Sequence, residues 1–190
     1  MLFIDIFMTK ILQLKIRLNG IRPPIWRRFL VEDSITFEEL HEIIQNVMGW
    51  ENYHMYEFKL YGLRISEPDE ELGFEVVDSK EVKLSEFLKA EKQMFYYIYD
   101  FGDRWEHTIT VEKILEKDNS KKYPVCIAGK RACPPEDCGG VYGYEEFLEA
   151  IKDPKHEEHE SMLEWIGGEF DPEEFNLEEV NKLLLWMVRK

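Results

Sequence analysis

The chain has 190 residues, 44% hydrophobic and 14% aromatic, a composition that supports one well-buried core and excludes a disordered chain. Its net charge is −15, with 24 basic against 39 acidic side chains, which works against nucleic-acid binding because phosphate contacts are built from Lys and Arg. No apolar run approaches the roughly 20 residues of a membrane helix. Asp5 interrupts the apolar start Met1–Phe7 and no basic region precedes it, so a secretory signal is not expected.

The charge is unevenly spread. Residues 1–31 carry Lys10, Lys15, Arg17, Arg22, Arg27 and Arg28 against Asp5 alone, and the remaining residues hold 18 basic and 38 acidic groups. The three cysteines, Cys126, Cys133 and Cys138, are an odd number. Without a signal, a cytoplasmic setting is expected rather than a disulfide framework.

Leu12, Leu14, Ile16 and Leu18 alternate with polar residues, predicting a half-buried strand over 12–18. Asn19-Gly20 and Pro23-Pro24 force a turn, and Ile25 to Val31 reads as a second strand. Thr36-Phe37-Glu38-Glu39 is a capping-box pattern. The helix it opens places Phe37, Leu40, Ile43, Ile44 and Val47 on one stripe and stops at Gly49. Tyr56 to Tyr61 reads as a third strand. Strand–strand–helix–strand suits an α+β domain with a β-grasp-like, mixed or antiparallel sheet and one helix packed across it.

Residues 62–83 are charged and irregular, and Leu84 to Leu88 form a short helical turn. Met94–Asp100 and Trp105–Leu115 form a hairpin around Gly102-Asp103. Residues 116–143 have no strong period and are rich in Pro and Gly, the pattern of a functional or flexible loop. Helices are expected around Tyr144–Ile151, from Asp153-Pro154 to about Ile166, and after Asp171-Pro172 through Leu177, Val180, Leu184 and Met187. The expected organisation is an N-terminal extension (1–10) and a single domain (11–190). Within that domain the sheet part runs over about 11–115, a motif loop over 116–143 and a helical part over 144–190.

Three constellations could carry chemistry. With Gly102-Asp103 as a two-residue type II′ loop, Asp100 faces Trp105 and His107 faces Ile98. Asp100 and His107 then become diagonal neighbours on one face, a pairing suited to general-base work or a metal. Their structural alternative is a turn-stabilising Asp and a core-edge His. The second is Cys133-Pro-Pro-Glu136-Asp137-Cys138-Gly-Gly140, whose adjacent carboxylates suit an oxygen-ligated cation better than an anion. A plain structural turn explains the same letters, and the cysteine spacing fits no familiar zinc knuckle. The third is His156-Glu-Glu-His159, which on a helix would bring both imidazoles to one face and one metal. Two exposed histidines at an acidic helix start are the alternative.

Several rare segments occur in order: Gly20-Ile-Arg-Pro-Pro-Ile-Trp-Arg-Arg28, Met48-Gly-Trp50 with His54, Tyr99-Asp-Phe-Gly-Asp-Arg-Trp-Glu-His107, Cys133-Pro-Pro-Glu-Asp-Cys-Gly-Gly140 with Gly143-Tyr144, Asp153-Pro-Lys-His156 and Phe170-Asp-Pro172. Together they resemble the plasmid pRiA4b ORF-3-like family from about Ile11 to beyond Phe175. The resemblance implies an α+β domain similar to passenger proteins of plasmids and other mobile elements, with no defined activity. It implies a motif that requires Cys133 but not Cys126 or Cys138, which weakens a three-cysteine metal site. A resolvase label attached to one such protein fits poorly, because no serine among arginines and no basic DNA-binding module is found.

The favoured reading is a non-enzymatic binding or accessory module whose partner is a protein or a small molecule. The alternative is a metal-dependent hydrolase or nuclease. It would use a divalent ion at Asp100, Asp103, His107, Glu136 and Asp137, with Arg27, Arg28 and Trp105 as substrate contacts. A second alternative is nucleic-acid binding through the basic N-terminal strands. What separates these readings is whether the hairpin at 99–107 and the loop at 133–140 meet in space.

Overall fold

A computed structural model describes residues 9–69 and 73–187; the apolar start Met1–Phe7 lies outside the described residues. The alternating segment becomes strand β1 (Lys10–Leu18), with Leu12, Leu14, Ile16 and Leu18 turned into the core. It pairs antiparallel on one side with β2 (Trp26–Glu32) and on the other with β7 (Trp105–Glu116). Helix α1 (Phe37–Met48) starts at the expected capping box: Thr36 Oγ1 accepts from Glu39 N at 3.1 Å and Glu39 Oε2 from Thr36 N at 2.7 Å. Gly49 ends it in the left-handed conformation, φ 103°, where a Cβ would be strained.

The remaining strands are β3 (Tyr56–Leu60), β4 (Leu63–Ser66), β5 (Val77–Asp78), β6 (Met94–Tyr99) and β8 (Val125–Lys130), with a one-turn α2 (Leu84–Phe87) before β6. Together they form an eight-stranded sheet in the order β5-β4-β3-β6-β7-β1-β2-β8, antiparallel throughout except for β4–β5. Strands β4, β5 and β8 lie in stretches that the sequence pattern left irregular. Helices α3 (Gly140–Lys152), α4 (His159–Ile166) and α5 (Leu177–Met187) complete an α+β fold. None of the helices among the described residues is long and apolar enough to cross a membrane.

Two helix starts differ from expectation. Asp153-Pro154 opens a turn, with Asp153 Oδ1 accepting from Lys155 N at 2.9 Å, and α4 begins only at His159. Asp171 does the same for Glu173 N at 2.9 Å. Asn176, not Asp171, caps α5, its Oδ1 accepting from Glu178 N and Glu179 N at 3.1 and 3.2 Å. Short polar side chains bond to backbone two residues on as readily in a turn as at a helix start.

The core is one cluster of β-sheet side chains with Phe37, Leu40, Ile44 and Val47 of α1, Tyr144 and Phe147 of α3, and Leu184 of α5. Arg27 is buried in it, donating to Val47 O (2.7 Å), Trp26 O and Lys130 O (both 2.9 Å) and stacking on Phe175. At the β8 edge, the Asn181 side chain accepts from Cys126 N at 2.8 Å and donates to Cys126 O at 2.9 Å.

Candidate functional site

Three connections meet at one end of the sheet: residues 49–55 entering β3, residues 100–104 joining β6 to β7, and residues 131–139 leading into α3. The first is tied down residue by residue. Trp50 Nε1 donates to Pro134 O (3.1 Å), Glu51 N to Glu136 Oε1 (2.9 Å), Asn52 N to Gln45 Oε1 (3.0 Å) and Tyr53 N to Tyr99 Oη (3.0 Å). Beneath it, His41 is buried and stacks on Tyr56 at 3.5 Å, with Nε2 2.7 Å from Asn52 Oδ1 and Nδ1 2.8 Å from the Tyr97 hydroxyl. The amide oxygen of Asn52 can only accept, so Nε2 carries the proton and Nδ1 accepts from Tyr97. Burial lowers the His41 pKa to about 4, and the neutral ring holds this network.

The hairpin differs from the two-residue turn expected of it. Residues 100–104 form a longer loop in which Asp100 and Arg104 both take positive φ, 55° and 57°, and Arg104 N donates to Asp100 O. Tyr99 therefore pairs with Trp105, and Tyr97 with His107. This one-residue slip turns His107 to the inner face. There it is fully buried, Nδ1 facing Tyr97 O at 3.2 Å and the ring edge-on to Trp50, and burial pushes its pKa down to about 3. The expected Asp100–His107 partnership is not formed.

Asp100 instead faces His54. His54 Nε2 lies 3.0 Å from Asp137 Oδ1, 3.7 Å from Asp100 Oδ2 and 3.9 Å from Glu136 Oε2. One ligand atom from each of His54, Asp100 and Asp137 lies within 4.8 Å of the others. Each carboxylate is aimed by its second oxygen or its backbone. Asp100 Oδ1 accepts from Gly102 N at 2.8 Å; Glu136 Oε1 accepts from Glu51 N and from Tyr99 Oη at 3.0 Å. Burial first, then the bond to Glu136, raises the Tyr99 pKa, so its hydroxyl stays a donor. Asp137 sits at φ 55°. Glu136 Oε2 is enclosed and has no hydrogen-bond partner within the protein, and His54 Nε2, also enclosed, has only the carboxylate contacts just given; an enclosed oxygen without a partner is an arrangement that native structures rarely leave unexplained.

The other expected site residues lie elsewhere. Asp103 receives Gly139 N at 3.0 Å, which ties the hairpin loop to the start of α3. Its carbonyl also passes so close to Gly140 that a Cβ there would come within 2.5 Å. Arg27 is enclosed in the core, Arg28 is held by Glu112 at 2.6 Å, and Trp105 is fully buried, so none of these three presents an open contact for a substrate. His156 precedes α4 and accepts from Glu158 N, whereas His159 Nδ1 reaches back to Ala150 O at 2.8 Å; the two do not share a helix face. Cys133 and Cys138 are free thiols with burial-raised pKa values, that of Cys138 pushed up to about 12. Protonated thiols are poor metal ligands. Sequence reasoning did not place His54 among the candidate site residues; its position a few residues after the Met48-Gly-Trp50 segment was the available signal.

Segments from three parts of the chain thus meet at one end of an eight-stranded α+β sheet, with an imidazole and three carboxylates at its rim. The sequence model for plasmid pRiA4b ORF-3-like proteins matches residues 10–179, and the chain belongs to that family. It is 39% identical over 176 residues to the uncharacterized protein y4hQ of Sinorhizobium fredii, covering 92% of this chain and 90% of that protein. It is also similar to the crystal structure of MM3350, a protein of unknown function from Methanosarcina mazei Go1. That match has a TM-score of 0.83 and 43% identity, and covers 90% of this chain and 98% of the other.

Proposed function

We propose that the protein is a divalent-cation-binding module, with His54, Asp100 and Asp137 as ligands and Glu136 as a fourth donor. One observation carries this reading: three ligand atoms from three separate loops lie within 4.8 Å of one another, beside an enclosed Glu136 oxygen without a partner. Three carboxylates and one imidazole are a carboxylate-rich, mixed oxygen–nitrogen set. Such a set suits Mn2+ or Zn2+ better than Ca2+ or Mg2+, which favour all-oxygen shells. The β-grasp-like reading of the sheet, with α1 across its inner face, is consistent with a binding module that presents its site at the strand ends.

The test is thermal melting and calorimetric titration of EDTA-stripped protein with Zn2+, Mn2+, Mg2+ and Ca2+. Zn2+ and Mn2+ are expected to raise the melting temperature and bind with 1:1 stoichiometry, by linkage to the folded state. No shift with any of the four ions overturns the reading.

A second reading, metal-assisted hydrolysis, is favoured by a cavity of about 300 Å³ that shares His54 with the cluster and is also lined by Asn52, Ser66, Glu38 and Glu67. Its acidic walls repel phosphodiesters, so an uncharged or cationic amide or ester is the better-matched substrate than a nucleic acid. Hydrolysis of model esters and amides by the metal-loaded protein, lost with Asp100→Asn, is the expected result.

A further inference from the structure

The outward face of β1 and β2 runs against the charge of the rest of the molecule. Lys15 and Arg17 of β1 lie opposite Arg28 and Trp26 of β2, and Lys15 and Arg28 both pack over the Trp26 ring, at 4.9 and 5.3 Å. Beside them the β1–β2 turn borders an open cavity of about 550 Å³ lined by Arg17, Asn19, Arg22, Pro23, Pro24 and Thr108.

The acidic groups around this cavity are already engaged. Glu112 holds Arg28 at 2.6 Å, Glu106 holds Arg104 at 2.7 Å, and Glu173 holds Arg131 at 2.7 Å. Among the described residues, Arg17 and Arg22 have no ion-pair partner, in a protein with a large excess of carboxylates. Asn19 Oδ1 accepts from Thr108 Oγ1 at 3.0 Å, and no group among the described residues takes up its Nδ2 donor.

The walls are held in place before any ligand arrives. Leu18 N donates to Ile25 O (3.0 Å) and Asn19 N to Glu106 O (2.8 Å), while Arg131 Nη1 donates to Pro23 O (2.5 Å). Gly20, at φ 82°, lets the turn approach Val141 of α3, where a Cβ would meet Cγ2 at 3.0 Å. These bonds fix the backbone of the turn, from which the exposed Arg17 and Arg22 side chains extend.

We infer that this cavity binds the phosphate group of a small phosphomonoester, gripped by the Arg17 and Arg22 guanidinium groups and the Asn19 amide. Guanidinium groups match tetrahedral oxyanions with paired, charge-assisted hydrogen bonds. The ligand is compact, because an extended polyanion would run from the cavity onto the acidic remainder of the surface. This site is separate from the cluster at His54 and does not depend on the cation reading.

The experiment is calorimetric titration of the full chain at low salt with inorganic phosphate, phenyl phosphate and a short single-stranded oligonucleotide. EDTA is present, so that a cation at His54 takes no part. Phenyl phosphate is expected to bind saturably at one site. Arg17→Ala and Arg22→Ala should each weaken it at least about tenfold with unchanged melting temperature, and Arg104→Ala should leave it unchanged. Absence of saturable binding by phosphate and phenyl phosphate overturns the proposal, as does binding indifferent to both substitutions. Tighter binding of the oligonucleotide than of phenyl phosphate also overturns it, because it marks a polyanion surface instead of a pocket.

Discussion

His54 Nε2 and Asp137 Oδ1 lie 3.0 Å apart, although one residue precedes β3 and the other precedes α3. The contact depends on two backbone devices: the hydrogen-bonded 49–55 connection under His54, and the positive φ of Asp137 in the proline-stiffened loop. Neither side chain alone is unusual. Their convergence with Asp100 makes a candidate ion site.

Asp100→Asn keeps the acceptor for Gly102 N but removes one charge from the cluster. Zn2+ or Mn2+ affinity should fall by about tenfold to a hundredfold while the unliganded melting temperature moves little. Calorimetric titration of the variant checks this, and an unchanged affinity would remove Asp100 from the ligand set.

Both buried histidines are held neutral in the fold, His41 with a pKa of about 4 and His107 with one of about 3, against an ordinary value near 6.5. Because the folded values are depressed, the unfolded chain binds more protons below pH 6.5, so stability falls as the medium is acidified. Above pH 6.5 these two groups contribute no pH dependence. Between pH 6.5 and about 4 each should cost on the order of 3 kcal/mol. Urea unfolding across this range should show the decline, and His107→Phe should roughly halve it, leaving the share of His41.

Gly140→Ala should destabilise the protein by about 2 kcal/mol or more. The residue sits at φ 69° and the new methyl would press on Asp103 O. Chemical denaturation measures the loss, and a near-neutral effect would show that the hairpin loop shifts easily away from α3.

Arg27→Ala removes donors from three backbone carbonyls, that of Val47 buried, and the stacking on Phe175. A loss of about 3 kcal/mol is expected. Arg27→Lys should restore little of it, since an ammonium cannot reproduce the planar fork. Full rescue by Lys would contradict this structural role.

Much of the frame was legible because it obeys local rules. The alternation of Leu12 to Leu18 and the Thr36–Glu39 capping box specify their elements from a few residues. Strands β4, β5 and β8 were not legible: Val77–Asp78 has only two residues, and β8 contains Gly129 and an irregular register beside Arg28 and Phe29. These strands exist because a neighbouring edge accepts them. The hairpin register was missed for a related reason. Asp100 and Arg104 adopt left-handed conformations without glycine, which no turn rule anticipates. Asp100, Glu136 and Asp137 were visible as candidates from their motifs. Their true partner was hidden, because bringing His54 to them depends on sheet order, and periodicity carries no information about that.

Asn181 completes the edge of β8 with a primary amide that has the same donor–acceptor pair as a peptide unit. In effect one side chain imitates the strand that would come next, so a second copy of the chain finds that position of the edge taken. The opposite border ends in the two residues of β5, too short to template a partner. Both flanks of the sheet thus carry a feature that works against strand-by-strand self-assembly, at the sides of the fold and away from the loop end where His54, Asp100 and Asp137 meet.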